Sequence, residues 1–148
     1  MSEREDIASN IVTVLGNMSS PTLGKVSREP IDIEELSIQQ FPAVFVQTST
    51  EVREDETIGN NGITRTGSID FLCVGYVKNN SASIENIDTQ RNTLITGVET
   101  ALDSDRTRSG NALDTQIVGI ETDEGSMFPF GGVNITVRCY YTFTSGTP

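Results

Sequence analysis

From Val133 to Phe143 the chain alternates without a break. Val133, Ile135, Val137, Cys139, Tyr141 and Phe143 fall on one side, and Asn134, Thr136, Arg138, Tyr140 and Thr142 on the other. Side chains of an extended strand point to opposite faces in turn, so this stretch is satisfied only as a strand with one face on a core. The other face is wet or meets a partner. Such a strand needs a covering layer, and two helical patterns supply it. Ile7, Ile11, Val14, Leu15 and Met18 recur on one helical face behind Ser2 and Glu5, which have capping-box spacing. Gly16 and Ser19-Ser20-Pro21 end that helix. Farther on, Ile84, Ile87, Leu94, Ile95, Val98 and Leu102 line a face bordered by Arg91 and Ala101. With Ser83 as its cap, this second helix makes roughly five turns to near Asp103. Gly97 in its middle permits close packing on a strand.

Three further strands are expected. Phe41 to Thr50 begins apolar on both faces and ends polar, with Pro42 at its start. The charged run Glu51 to Gly62 follows, closing in an Asn61-Gly62 turn signal, and reads as a long hairpin arm or a loop. A strand from about Ile63 to Val77 is apolar on both faces in its second half, which makes it central; Gly67 and Gly75 read as bends or bulges. Thr115 to Glu121 is the last. Residues 19–40 read as an irregular connection and 145–148 as a short tail. The expected fold is a single α+β domain over 1–148. It is a two-layer sandwich, with a mainly antiparallel sheet of about four strands, two helices on one face and an extended charged hairpin or loop.

The search for chemistry is mostly negative. There is no histidine, so the commonest general base and metal ligand is missing. Cys73 and Cys139 sit in apolar strand-like runs and read as small buried hydrophobes, not as zinc ligands. Asp103, Asp105 and Thr107 occupy the first ligand positions of a calcium loop, but Arg108 replaces its glycine. Glu54-Asp55-Glu56 and Asp123-Glu124 lie among polar residues and read as solvated loops. No catalytic residue, metal or cofactor is expected. The net charge is −11 and the basic residues are scattered, which argues against direct nucleic-acid binding. An acidic pore, by contrast, repels DNA from its walls and lets it slide. The polar start Met1-Ser2-Glu3-Arg4-Glu5 does not read as a signal peptide, and no apolar run approaches the ~20 residues of a membrane span.

The element order, with Glu35-Leu36-Ser37-Ile38-Gln39-Gln40-Phe41-Pro42-Ala43-Val44-Phe45-Val46, resembles the tail-terminator (minor tail protein U-like) family of long-tailed bacteriophages. The resemblance implies a virion structural protein, not an enzyme, located at the tail–neck junction and assembled in the host cytoplasm. A homohexameric ring would cap the tail tube, stop its polymerisation and join it to the head–neck connector. DNA would pass through the centre without specific binding, and no membrane is involved. Another tail-tube or neck-completion protein is an alternative. A small-molecule-binding or enzymatic α+β domain is an alternative from a different class, and it would need a pocket with convergent polar groups.

The candidate contact residues follow from charge and loop length. They are Arg53, Glu54, Asp55, Glu56, Asn60 and Asn61 in the arm, with Arg106 and Arg108 after the second helix. Met127, Phe128 and Phe130 put three large apolar side chains in a glycine-flanked loop, which either folds over the core's end or meets another subunit.

Overall fold

A computed structural model of the chain describes residues 3–19, 21–30, 32–37, 40–55, 64–78, 86–110, 112–125 and 129–144. Helix α1 (Glu3–Gly16) leads to strand β1 (Lys25–Ser27) and a single 3-10 turn at Ile33–Glu35. Strands β2 (Ala43–Asp55) and β3 (Thr64–Lys78), helix α2 (Ile87–Asp103), and strands β4 (Asp114–Thr122) and β5 (Phe130–Thr144) follow. The sheet order is β1-β2-β3-β5-β4. Only the β1–β2 pair is parallel. The fold is therefore α+β, with the two helices on one face of the sheet.

The alternation of β5 does what its period requires. Val133, Ile135, Val137, Cys139 and Tyr141 are buried beside Ile69, Phe71, Cys73 and Val77 of β3 and Val44 and Val46 of β2. Ile7, Ile11 and Leu15 of α1 and Leu94, Val98 and Leu102 of α2 close over them. The opposite face is polar toward β5. There Arg138 grips Asp70 on the neighbouring strand through two bonds, at 2.8 and 3.1 Å. Phe45 and Val74 make that face apolar near β2, where the Phe45 ring lies 6.2 Å from that of Tyr76.

Four expectations are corrected. The sheet has five strands, because the connection 19–40 contains β1. That strand is joined to β2 through the Gly24 N–H, which donates to the Pro42 carbonyl at 2.8 Å. Helix α2 begins at Ile87, and its cap is Asn86, whose side chain accepts from Thr89 N; Ser83 and Ile84 lie outside the described residues. Strand β2 runs past its expected end at Thr50 to Asp55, so of the two readings of the arm the hairpin is the one seen, with β2 and β3 paired out to Asp55 and Arg65; residues 56–63 lie outside the described residues.

The fourth correction concerns the glycines. Gly67 and Gly75 are in regular register, and the bulges fall instead at Thr48/Glu51 and Ile117/Gly119. The two glycines make room. A Cβ on Gly75 would lie 2.7 Å from Cδ2 of Leu94, so α2 seats directly on β3 there. A Cβ on Gly67 would lie 2.5 Å from the ring of Tyr141, which lies across the bare backbone.

Gly67→Ala is expected to lower stability by roughly 1–3 kcal/mol through this overlap. Gly119→Ala, whose nearest neighbour would be at 3.8 Å, should show no overpacking penalty. Denaturant midpoints of the two variants test this; equal effects would mean that the Tyr141 ring yields freely. Phe71→Ala and Leu94→Ala, both fully buried, should each cost roughly 2–5 kcal/mol.

Candidate subunit-contact surface

The strands are far longer than the helices that cover them. Helix α2 has 17 residues, which at ~1.5 Å per residue is about 25 Å. Strands β3 and β5 have 15 residues each, about 50 Å at ~3.3 Å per residue. The surplus is a three-stranded blade. Glu54 pairs with Thr66, which pairs with Thr142, and Asp55 pairs with Arg65, which pairs with Phe143; the row Arg53, Gly67 and Tyr141, with Tyr141 buried, is its root. β5 thus stiffens the arm that the sequence left open between a hairpin and a loop.

At the root of the blade Arg53 is held within its own chain. Its Nε donates to Glu51, which also receives Arg4 of α1 at 3.3 Å. The bond to Glu51 raises the Arg53 pKa further above its ordinary value, and Tyr141 adds to that effect. Burial raises the Tyr141 phenol, and bonding with Glu51 pushes it the same way. Arg53, Glu51, Tyr141 and Arg4 therefore form one cluster. Glu51 and Tyr141 were not singled out in the sequence because they become neighbours only through strand register. Glu54 and Asp55 lie on β2. Glu56, Asn60 and Asn61 lie outside the described residues.

Arg106 and Arg108 part company. Arg106 is on the surface and forks onto Asp114 at 2.7 and 3.1 Å, with Asp103 at 3.6 Å. The bond to Asp114 raises its pKa, and the same bond lowers that of Asp114. Arg108 is fully buried. Its guanidinium donates to the backbone carbonyls of Leu102 and Asp105, at the C-terminal end of α2. A cation there meets the negative end of the helix dipole as well as its unfilled carbonyls. Burial lowers its pKa, opposed by nearby Cys139 and Asp105. Arg108 is thus corrected from a contact candidate to a structural residue, since a side chain enclosed by its own core cannot meet a neighbouring copy.

The loop around it is tightly organised. Arg108, Ser109 and Gly110 take positive φ in succession, at 50°, 58° and 88°. The Asp105 carboxylate stabilises this turn by accepting from Thr107 N at 3.1 Å, Thr107 Oγ1 at 2.8 Å and Ser109 N at 2.7 Å. These bonds, Ser109 first, lower its pKa. Asn10 of α1 donates to Ser109 Oγ at 3.1 Å and ties the turn to the other helix. The positions that suggested a calcium loop serve this turn instead.

Phe130 opens β5, paired with Lys78, and does not lie in a loop. Its ring sits 5.8 Å from that of Phe41, with the Lys78 ammonium 5.2 Å from its centroid. By the alternation of β5 it lies on the sheet face opposite the helices, half-buried. Met127 and Phe128 lie outside the described residues. Cys73 and Cys139 are buried free thiols, and burial pushes the Cys73 pKa up to about 12.

An open groove of about 570 Å³ lies between the end of α1 and α2. Val14, Met18, Thr96, Gly97, Thr100 and Ala101 are among its walls, and none of its lining residues is titratable at neutral pH. In sequence, the chain matches no protein-family model and no curated protein.

Arg108→Ala should cost about 2–4 kcal/mol, because it empties buried volume and strips bonded carbonyls. Arg106→Ala, at an exposed pair, should barely move the thermal midpoint. Asp105 adds a pH signature. Its folded pKa lies below its ordinary 3.8, so its contribution is present above that value and is lost as pH falls through the folded one. Asp105→Asn should therefore lower the thermal midpoint at pH 7 and converge on the parent as pH falls through the folded pKa of Asp105. A gap that persists unchanged into acid would refute this role.

Proposed function

We propose that this chain is a structural subunit that works by assembling with copies of itself into a closed ring of the phage tail-terminator kind. Such a ring caps the finished tail tube, stops its polymerisation and presents the head–neck connector with a matching surface while DNA passes through. The observation that supports the reading is the three-stranded blade. A sheet of ~50 Å strands exceeds what two ~25 Å helices can cover, and stiff, paired strands carried beyond the core form an arm that can reach a neighbour. The partner types are a second copy, the tail-tube protein and the connector. The working principle is closed cyclic symmetry replacing the open stacking of the tube. An overall acidic surface suits a lumen that must not hold DNA. Arg53 and Arg106, both at the surface, stay as contact candidates.

Light scattering on the purified protein, with negative-stain microscopy of the same fractions, tests the reading. Closed six-membered rings are expected, either alone or on the ends of added tail tubes. Spontaneous open tubes would replace the terminator reading with that of a tube subunit. A protein that forms no ring and binds no tube would end it.

A further inference from the structure

Among the described residues the sheet is open, and its two free edges lie on opposite sides. One is the outer edge of β4, which pairs only with β5. The other is the outer edge of β2 beyond Phe45, where the short β1 ends after pairing with Ala43, Val44 and Phe45. No described strand covers β2 from Val46 to Asp55, about the length of the nine-residue β4.

Exposed apolar side chains mark the same two edges. Among the described residues the exposed large hydrophobics are Val52 at 57%, Leu113 at 59%, Val118 at 43% and Ile120 at 41%. Val52 stands in the free run of β2. Val118 and Ile120 stand in β4, and Leu113 immediately precedes it. Neither run contains a lysine or proline, although each has one bulge and the β2 run ends in charged residues, so the ladder must run on either side of the bulges. Scattered apolar residues need no explanation, but concentration on the two unpaired edges does.

We infer that the outer edge of β4 pairs, strand to strand, with the free outer edge of β2 in a second copy of this chain. The occupant is a second copy because each chain carries both halves of the joint at matched length. The polarity also fits. Each step from β2 through β3 and β5 to β4 is antiparallel, so β4 runs opposite to β2. A neighbour that continues the sheet in the same orientation therefore offers an antiparallel ladder. Backbone bonds supply the joint, and Val52, Val118 and Ile120 lose their exposure in it. The two edges differ, so the contact is head-to-tail and leaves every copy with one of each, which is the type that closes into rings. The inference rests on the self-assembly reading above and names its joint.

The test uses the full chain in three forms: unaltered, Val52→Lys, and Val118→Lys with Ile120→Lys. The substituted positions are exposed, and circular dichroism confirms that each variant folds. Light scattering is expected to show oligomers for the parent and monomers for each variant alone. An equal mixture of the two variants should give a one-to-one heterodimer, because one intact β4 edge then meets one intact β2 edge. Variants that assemble like an assembling parent would overturn the edge joint and leave the ring reading standing. A homodimer of either variant alone would also overturn it, since like edges would then be pairing. A parent that stays monomeric overturns the joint as a self-sufficient contact, while microscopy with added tubes decides the ring reading separately.

Discussion

The guanidinium of Arg108 lies inside the core and takes backbone carbonyls as its acceptors, at the point where helix α2 must stop and the chain must turn back into the sheet. A helix end within a core leaves carbonyls without donors, and a buried cation leaves charge without solvent. Placed together, each relieves the other. The rest of the architecture is arranged to keep them so. Three successive positive-φ residues bend the chain inward, the Asp105 carboxylate holds the bend, and Ser109 anchors it to α1. Thr115, at the start of β4, closes the assembly by donating to the Arg106 carbonyl at 2.8 Å. Both helices and an edge strand thus meet around one side chain.

Six other arginines show a second pattern. Arg4 and Arg53 meet Glu51, Arg28 meets Glu5, Arg91 meets Asp88 and Asp123, Arg106 meets Asp114, and Arg138 meets Asp70. In a chain with 10 basic and 21 acidic residues, intramolecular pairing of the positive charge leaves a surface field that is mostly negative. Copies of such a protein repel one another at long range. In any assembly of copies, short-range bonds and apolar cover would have to offset that repulsion, and the sheet margins offer both.

Much of the fold was legible, and the failures have physical causes. β5 could be read because its period is unbroken over eleven residues, and α2 because a long amphipathic face repeats. β1 could not, since three residues carry no period and its pairing with β2 is set by the fold, not by local pattern. Gly67 and Gly75 were legible as special positions but not in kind: a bulge and a space for a neighbour leave the same mark in sequence, and only the Tyr141 ring and Leu94 distinguish them. Arg108 was misread because an arginine in a polar loop carries no local sign that it will turn inward. The contact candidates were legible only as surface charge. The apolar edges were less visible, because Ile117-Val118-Gly119-Ile120 reads as an ordinary strand until its place at the margin of the sheet is known.

The strand order carries a consequence for synthesis. β5 lies between β3 and β4 in the sheet, yet it follows both in the chain. While the polypeptide emerges, β3 has only β2 beside it and β4 has no neighbour at all. At about 5–20 residues per second, the 66 residues from Lys78 to Thr144 take roughly 3–13 s to appear. During that interval the two halves of the sheet are unconnected, and the long-range pairing that joins them is of the slow-forming kind. A nascent chain therefore cannot present a finished sheet, with both margins in their final geometry, until its last strand is inserted. Insertion of β5 is therefore the step that joins the two halves of the sheet and sets both margins at once.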